Sequence, residues 1–301
     1  MAELLQVVVN PRAGQGRWFR IRQELSDLLA GAGFAPQFQL SESAEHLAEL
    51  VRLAAGPLAL VGGDGTLHAA LPALLASGRP VALIPAGTGN DYAAALGLRS
   101  LRAAVARLSD PLGSSDVLRT SLGPCANGLS LGLDAEVARF SAEAPDRLRG
   151  PARYLYGLAR AYANYRPLSL EVWADGRLRH CGPAALVAVM NGPRYGGGFR
   201  IAPPAQLSDG WLDLVLGRDL TRSELLGLIA KLLAGRHLRD PRVLHLRARS
   251  LEIRSREPLV AQIDGELAEP ARCWSADLLP AGLALLGGSL AAPDRQRRGL
   301  R

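Results

Sequence analysis

Residues 58–66 run Leu58-Ala-Leu-Val-Gly-Gly-Asp-Gly-Thr66. The first four are apolar and end abruptly on glycines, as a short buried strand does when it turns into a loop. Glycine permits positive φ and lets an anion approach the backbone. Free N–H groups at a helix start favour phosphate, and Thr66 can cap that helix or bond a phosphate oxygen. Asp64 is the informative residue. A bare carboxylate beside phosphates repels them unless a divalent cation bridges the two, or unless the loop aims it at a hydroxyl or water.

The same design occurs on either side. Val7-Val-Val leads into Asn10-Pro-Arg-Ala-Gly14-Gln-Gly16, and Val81-Ala-Leu-Ile leads into Pro85-Ala-Gly87-Thr88-Gly-Asn90-Asp91. Helical spacing follows the first turn at Trp18, Ile21, Leu25, Leu28 and Leu29. Further helices are expected near Ala44–Ala55, Leu67–Ala76 (with Pro72 as a candidate kink) and Leu101–Leu108. Short apolar strands alternating with helices predict a parallel sheet covered on both faces. All such turns then lie at the carboxyl ends of the strands, where open α/β sheets bind ligands.

Beyond about Asp116 the pattern changes. Alternating segments such as Leu168-Ser-Leu-Glu-Val172 and Leu251-Glu-Ile253 predict antiparallel strands, and Asp175-Gly176 and Asp264-Gly265 read as hairpin turns. Helices are expected at Ala152–Tyr165 and Arg222–Leu233. This gives an α/β first domain over 1–116 and a β-rich second domain over 117–279. Residues 280–301 are a candidate return to the first domain.

Composition narrows the class. At 48% apolar and 21% charged, the 301-residue chain is globular rather than disordered. Cys125, Cys181 and Cys273 are widely spaced and the histidines form no pair, so neither disulfides nor a zinc site is expected. No apolar run is long enough to span a bilayer and the start reads as a strand, which predicts a cytoplasmic protein. The net charge is +7, carried by arginine, and Lys231 is the sole lysine. Arginines gather only at Arg295, Arg297, Arg298 and Arg301. That run reads as a solvated tail, with anionic lipid as the sharper alternative. No aromatic-plus-basic motif accompanies them, so no nucleic-acid partner is expected. GxxxxGK[ST], GxGxxG after a strand, the VAIK/HRD/DFG set and GxSxG are all absent.

The ordered motifs resemble those of the diacylglycerol kinase-like lipid kinases, a family that includes bacterial lipid kinases and sphingosine kinases. They are Asn10-Pro11 with Gly14, Gly62-Gly-Asp-Gly-Thr66, Pro85-to-Asp91, Gly132-Leu-Asp-Ala-Glu136, Asn191-to-Gly198, Pro204-to-Asp213 and Asp264-Gly-Glu266. The likeness runs nearly end to end; the Gly62–Thr66 motif alone is shared with NAD kinases. The resemblance implies two lobes with ATP and Mg²⁺ between them and a β-sandwich-rich second lobe that receives lipid. It implies that Asn10, Gly14, Gly62, Gly63, Gly65, Thr66, Gly87, Thr88 and Asn90 bind the nucleotide. Asp64, Asp91 and Asp116 would support Mg²⁺, directly or through water, and the Asp209-Gly-Trp211 segment would mark a second, structural Mg²⁺ site built from a carboxylate and backbone carbonyls. Glu266, with Asp264 beside it and Asp64 opposite, would be catalytic.

The expected activity is ATP-dependent phosphorylation of a lipid hydroxyl, diacylglycerol-like first, peripherally at the inner membrane surface. An NAD kinase-like phosphotransferase and a catalytically weak nucleotide- or lipid-binding regulator are the alternatives, and a homodimer is compatible with the sequence. The chain departs from the family at His68 and Ala69, where Asn and Glu are usual, and at Ala94, where Arg is usual.

Overall fold

The computed structural model describes residues 2–145, 147–148, 151–196 and 198–287. The arginine tail lies outside the described residues.

The first lobe is a parallel sheet. β1 (Glu3–Val9) pairs with β2 (Phe34–Leu40) on one side and β3 (Leu58–Gly62) on the other, and β3 pairs with β4 (Val81–Pro85). β3 and β4 are buried along their whole length, as strands covered on both faces must be. Helices Trp18–Gly31, Ala44–Leu53, Asp64–Ser77 and Leu101–Ala106 connect or flank them. Trp18, Ile21, Leu25 and Leu29 form the buried stripe of the first helix, at the spacing expected from sequence. The helix from Asp64 runs unbroken through Pro72. Pro72 removes only the bond to the His68 carbonyl, a loss the buried packing of Leu67, Leu71 and Leu74 outweighs.

β2 is an addition to the sequence reading. Its pattern is half-exposed throughout and Pro36 interrupts it, which a sheet interior forbids but an outer strand tolerates. β2 stands at the end of the sheet order.

The second lobe is mainly antiparallel. It contains β5 (Gly113–Thr120), β6 (Gly123–Cys125), β7 (Gly128–Gly132), β8 (Leu168–Ala174), β9 (Arg177–Met190), β10 (Leu212–Arg218), β11 (Val243–Ala248), β12 (Ser250–Leu259), β13 (Ala261–Ile263), β14 (Glu266–Leu267) and β15 (Ala271–Leu285). The core between its layers includes Leu118, Leu129, Leu170, Leu214, Ile253 and Trp274. Helices Leu133–Ala142, Pro151–Ala163 and Arg222–Leu233 cover an outer face through a separate cluster built around Val137, Phe140, Leu225 and Leu228. This α/β lobe with a β-sandwich-like partner is the fold class read from the sequence.

β15 ties the lobes together. Ala276–Leu285 pairs antiparallel with β5, and Leu285 then pairs in parallel with Val81 of β4. One hydrogen-bonded path, β14-β13-β7-β9-β8-β12-β15-β4-β3-β1-β2, therefore crosses the whole molecule.

Candidate active site

The glycine turns meet at the carboxyl ends of β1, β3 and β4, and they touch. Gly14, Gln15 and Gly16 all take positive φ, and a Cβ on Gly14 would lie 2.2 Å from the Ala86 carbonyl oxygen. A Cβ on Gly63 would lie 2.8 Å from Gly87 Cα, so these two turns sit backbone to backbone. Gly62 is similarly confined, since a Cβ there would strike the Thr66 side chain. Crowding demands glycine at Gly62 and Gly63, and at Gly14 the positive φ demands it as well.

Short side chains lock the turns. Asn10 Nδ2 donates to Thr66 Oγ1 at 3.0 Å, joining the first turn to the second. Asn90, at φ +52°, accepts the Gly87 N–H at 2.9 Å and returns a bond to the Gly87 carbonyl at 2.8 Å. Asp64 joins the second turn to the third: its two oxygens accept the N–H groups of Asp91 (2.9 Å) and Tyr92 (3.0 Å). Burial pushes the Asp64 carboxyl above its ordinary range, against the lowering effect of those two donors.

These turns floor a cavity of about 450 Å³. Asn10, Gly14, Gly63, Asp64, Gly65, Thr66, Gly87 and Thr88 line it from the first lobe. Glu266 reaches in from the second lobe, with its Oε1 3.4 Å from where a Cβ on Gly65 would stand. Gly62 and Asn90 lie behind this wall, in a smaller recess that Gly63 and Asp64 also line.

The remaining expected acids stand elsewhere. Asp264 does not line the cavity. Its side chain is 2% exposed, and it accepts the N–H groups of Ala126 (2.8 Å), Asn127 (2.8 Å) and Gly128 (3.1 Å) as well as the Cys125 thiol (3.1 Å). Across the lobes it meets His68 Nδ1 at 3.2 Å. Burial alone would raise its pKa, but the bond from His68 and these donors outweigh burial and hold it low. The same bond raises His68 above the ordinary histidine range, with burial opposing. Asp264 thus ties the hairpin that carries Glu266 to residues 125–128 and, across the lobes, to His68.

The expected magnesium ligands do not converge. Among the described residues no three acidic, histidine or cysteine side chains gather as a metal site. Asp91 is buried beside Asp64, but Asp116 points elsewhere: its oxygens accept the N–H groups of Gly210 and Ala281, both at 2.8 Å. Asp209 is ion-paired with Arg247, and Trp211 lies under the Arg249 guanidinium at 5.0 Å, so a cation there would face two arginines. Asp64 and Asp91 thus stand together, while Asp116 and Asp209 are engaged by other partners of the chain.

The structure also adds lining residues to which the sequence gave no site role: Arg12, Ser41, Glu42 and Ser43. Ser41–Ser43 is a fourth strand-to-helix turn, in which Ser43 Oγ caps the following helix by accepting the His46 N–H at 3.1 Å. It follows the outer strand β2, whose sequence carries no continuous apolar run.

Stacked glycine turns on a parallel sheet, facing a carboxylate from a β-sandwich, define a phosphotransferase-like cleft. Residues 5–120 match the diacylglycerol kinase catalytic domain, and residues 127–287 match the YegS C-terminal NAD kinase beta sandwich-like domain. The chain belongs to the diacylglycerol kinase/YegS-like lipid kinase family. It is 32% identical over 243 residues to a "Probable lipid kinase YegS-like" protein of Pseudomonas fluorescens, covering 78% of this chain and 80% of that one. It is 28% identical to a diacylglycerol kinase of Mycobacterium tuberculosis over 256 residues, 82% of each chain. In fold it matches the solved structure of a diacylglycerol kinase from Bacillus anthracis at TM-score 0.69 and 19% identity, covering 94% of this chain and 96% of that one. An NAD kinase from Archaeoglobus fulgidus matches at TM-score 0.51 and 12% identity, covering 94% of each chain.

Proposed function

We propose that the protein is an ATP-dependent lipid kinase that moves the γ-phosphoryl group onto the hydroxyl of a diacylglycerol-like lipid, working peripherally at the inner membrane surface. The observation that carries this reading is the position of Glu266, which comes from the β-sandwich lobe to stand over Gly65 at the phosphate-holding floor.

In this reading the backbone amides of the glycine turns receive the nucleotide phosphates, and the Arg12 side chain adds positive charge at the rim. Glu266 accepts the proton of the lipid hydroxyl as its oxygen bonds to the γ-phosphorus and the bond to the β-phosphate oxygen breaks. Phosphoryl transfer needs alignment and charge stabilisation more than covalent chemistry, and a rigid floor with one mobile-proton carboxylate supplies the first. Asp64 aligns the second and third turns by capping the Asp91–Ala95 helix.

The test is radiolabelled ATP with mixed micelles of diacylglycerol, phosphatidylglycerol or a sphingoid base, and with NAD in a parallel reaction. Labelled lipid is expected, with Glu266→Gln lowering transfer by about 10²–10⁴-fold. Label on NAD alone would place the chain with NAD kinases. ATP binding with no label on any acceptor would make it a regulator.

A further inference from the structure

The hairpin that carries Glu266 is also held from behind, by side chains outside the cavity. Gln262 is buried in β13. Its Oε1 accepts the Gly265 N–H at 2.6 Å, while its Nε2 donates to Asp134 Oδ2 at 2.8 Å and to Ser130 Oγ at 3.0 Å. The Ser130 hydroxyl donates to the same Asp134 oxygen at 2.5 Å, and the Tyr195 hydroxyl hydrogen-bonds that carboxylate too.

This network has a direction. Asp134 offers acceptors, so the NH₂ end of Gln262 must face it, and the amide oxygen must then face Gly265. A flipped amide would set oxygen against carboxylate and NH₂ against N–H. The output is one hydrogen bond, placed one residue before Glu266. The turn needs it: Asp264 and Gly265 both take positive φ, and a non-glycine residue in that region is disfavoured.

We infer that Gln262 and Asp134 are positioning residues, which through Gly265 set where the Glu266 carboxylate stands over the phosphate floor. The assignment rests on the kinase reading for its catalytic consequence, but not for its structural one. Two variants test it, Gln262→Met and the isosteric Asp134→Asn. Amide exchange of residues 261–268 is followed by mass spectrometry, and lipid phosphorylation is measured over a range of ATP concentrations.

Both variants are expected to exchange at least about tenfold faster in that hairpin, with the rest of the second lobe unchanged. Their kcat is expected to fall by about 10–100-fold, and KM for ATP to stay within about twofold of wild type. Unchanged hairpin exchange in both variants overturns the inference, whatever the wild-type activity. Faster exchange throughout the lobe, or a loss confined to KM for ATP, marks a general structural role and also overturns it. Faster hairpin exchange in a chain whose wild type labels no acceptor supports the hold on the hairpin and removes the kinase reading.

Discussion

Replacing Gly14 with alanine adds one methyl group at a point with no room for it. Gly14 has φ +56°, and the new Cβ would lie 2.2 Å from the Ala86 carbonyl oxygen, a backbone atom that cannot rotate away. The dihedral alone costs an alanine about 1–2 kcal/mol. Forcing a methyl into packed surroundings adds about 1–3 kcal/mol, so the sum is about 2–5 kcal/mol. Gly33→Ala separates the two parts: it has φ +89° but nothing within 4 Å of the new Cβ, so only the dihedral term applies. Urea unfolding of both variants should place Gly14→Ala below Gly33→Ala by about 1–3 kcal/mol. Calorimetric titration with ATP should show weakened binding for Gly14→Ala alone. Equal destabilisation, or an intact ATP affinity in Gly14→Ala, would mean that the first and third turns are not in contact and that the cavity floor is wrongly described.

Asp64→Asn keeps the shape but offers one acceptor oxygen to two N–H groups, so it should lose about 0.5–2 kcal/mol of stability by calorimetry while lipid phosphorylation falls by more than about 100-fold; wild-type turnover would remove Asp64 from the mechanism. The His68–Asp264 contact predicts a pH signature. The folded histidine pKa is raised, so its contribution is complete below the unfolded value near about 6.5 and is lost as pH climbs through the higher folded value. The folded aspartate pKa is lowered, so its share is present above the unfolded value and disappears as acid takes the pH through the folded one. The Tm gap between wild type and His68→Gln should therefore be widest near about pH 5–6 and close on the alkaline side; a gap that is flat or grows above neutrality would refute the pairing.

Local chemistry made much of the first lobe legible. Leu58–Val61 ends on glycines because a buried strand must turn there; the next helix starts at Asp64, and Thr66 accepts the Gly63 N–H from its third position. β2 was hidden because its residues are half-exposed at an outer edge and include a proline, leaving no continuous apolar run. With it went the Ser41–Ser43 wall of the cavity. Helix Leu133–Ala142 was concealed by Gly132 at positive φ, directly at the end of β7. The acids divide for a different reason. A motif fixes where an aspartate stands along the chain, but not which N–H groups its oxygens will meet. Asp264-Gly265 announced a turn correctly, yet the four donors of 125–128 arrive from residues more than a hundred positions away. Asp116 likewise meets its partners, Gly210 and Ala281, only after the second lobe has closed.

Because β15 belongs to both lobes, cleft opening cannot be a free swing of two bodies on a linker. Its pairing with β5 slips between Leu279 and Leu283, where Ala281 takes φ +50°. The Ala281 amide is clamped there by Asp116, which also grips Gly210. Asp116 thereby ties the kink in the strand shared by both lobes to the Gly210 turn of the second lobe.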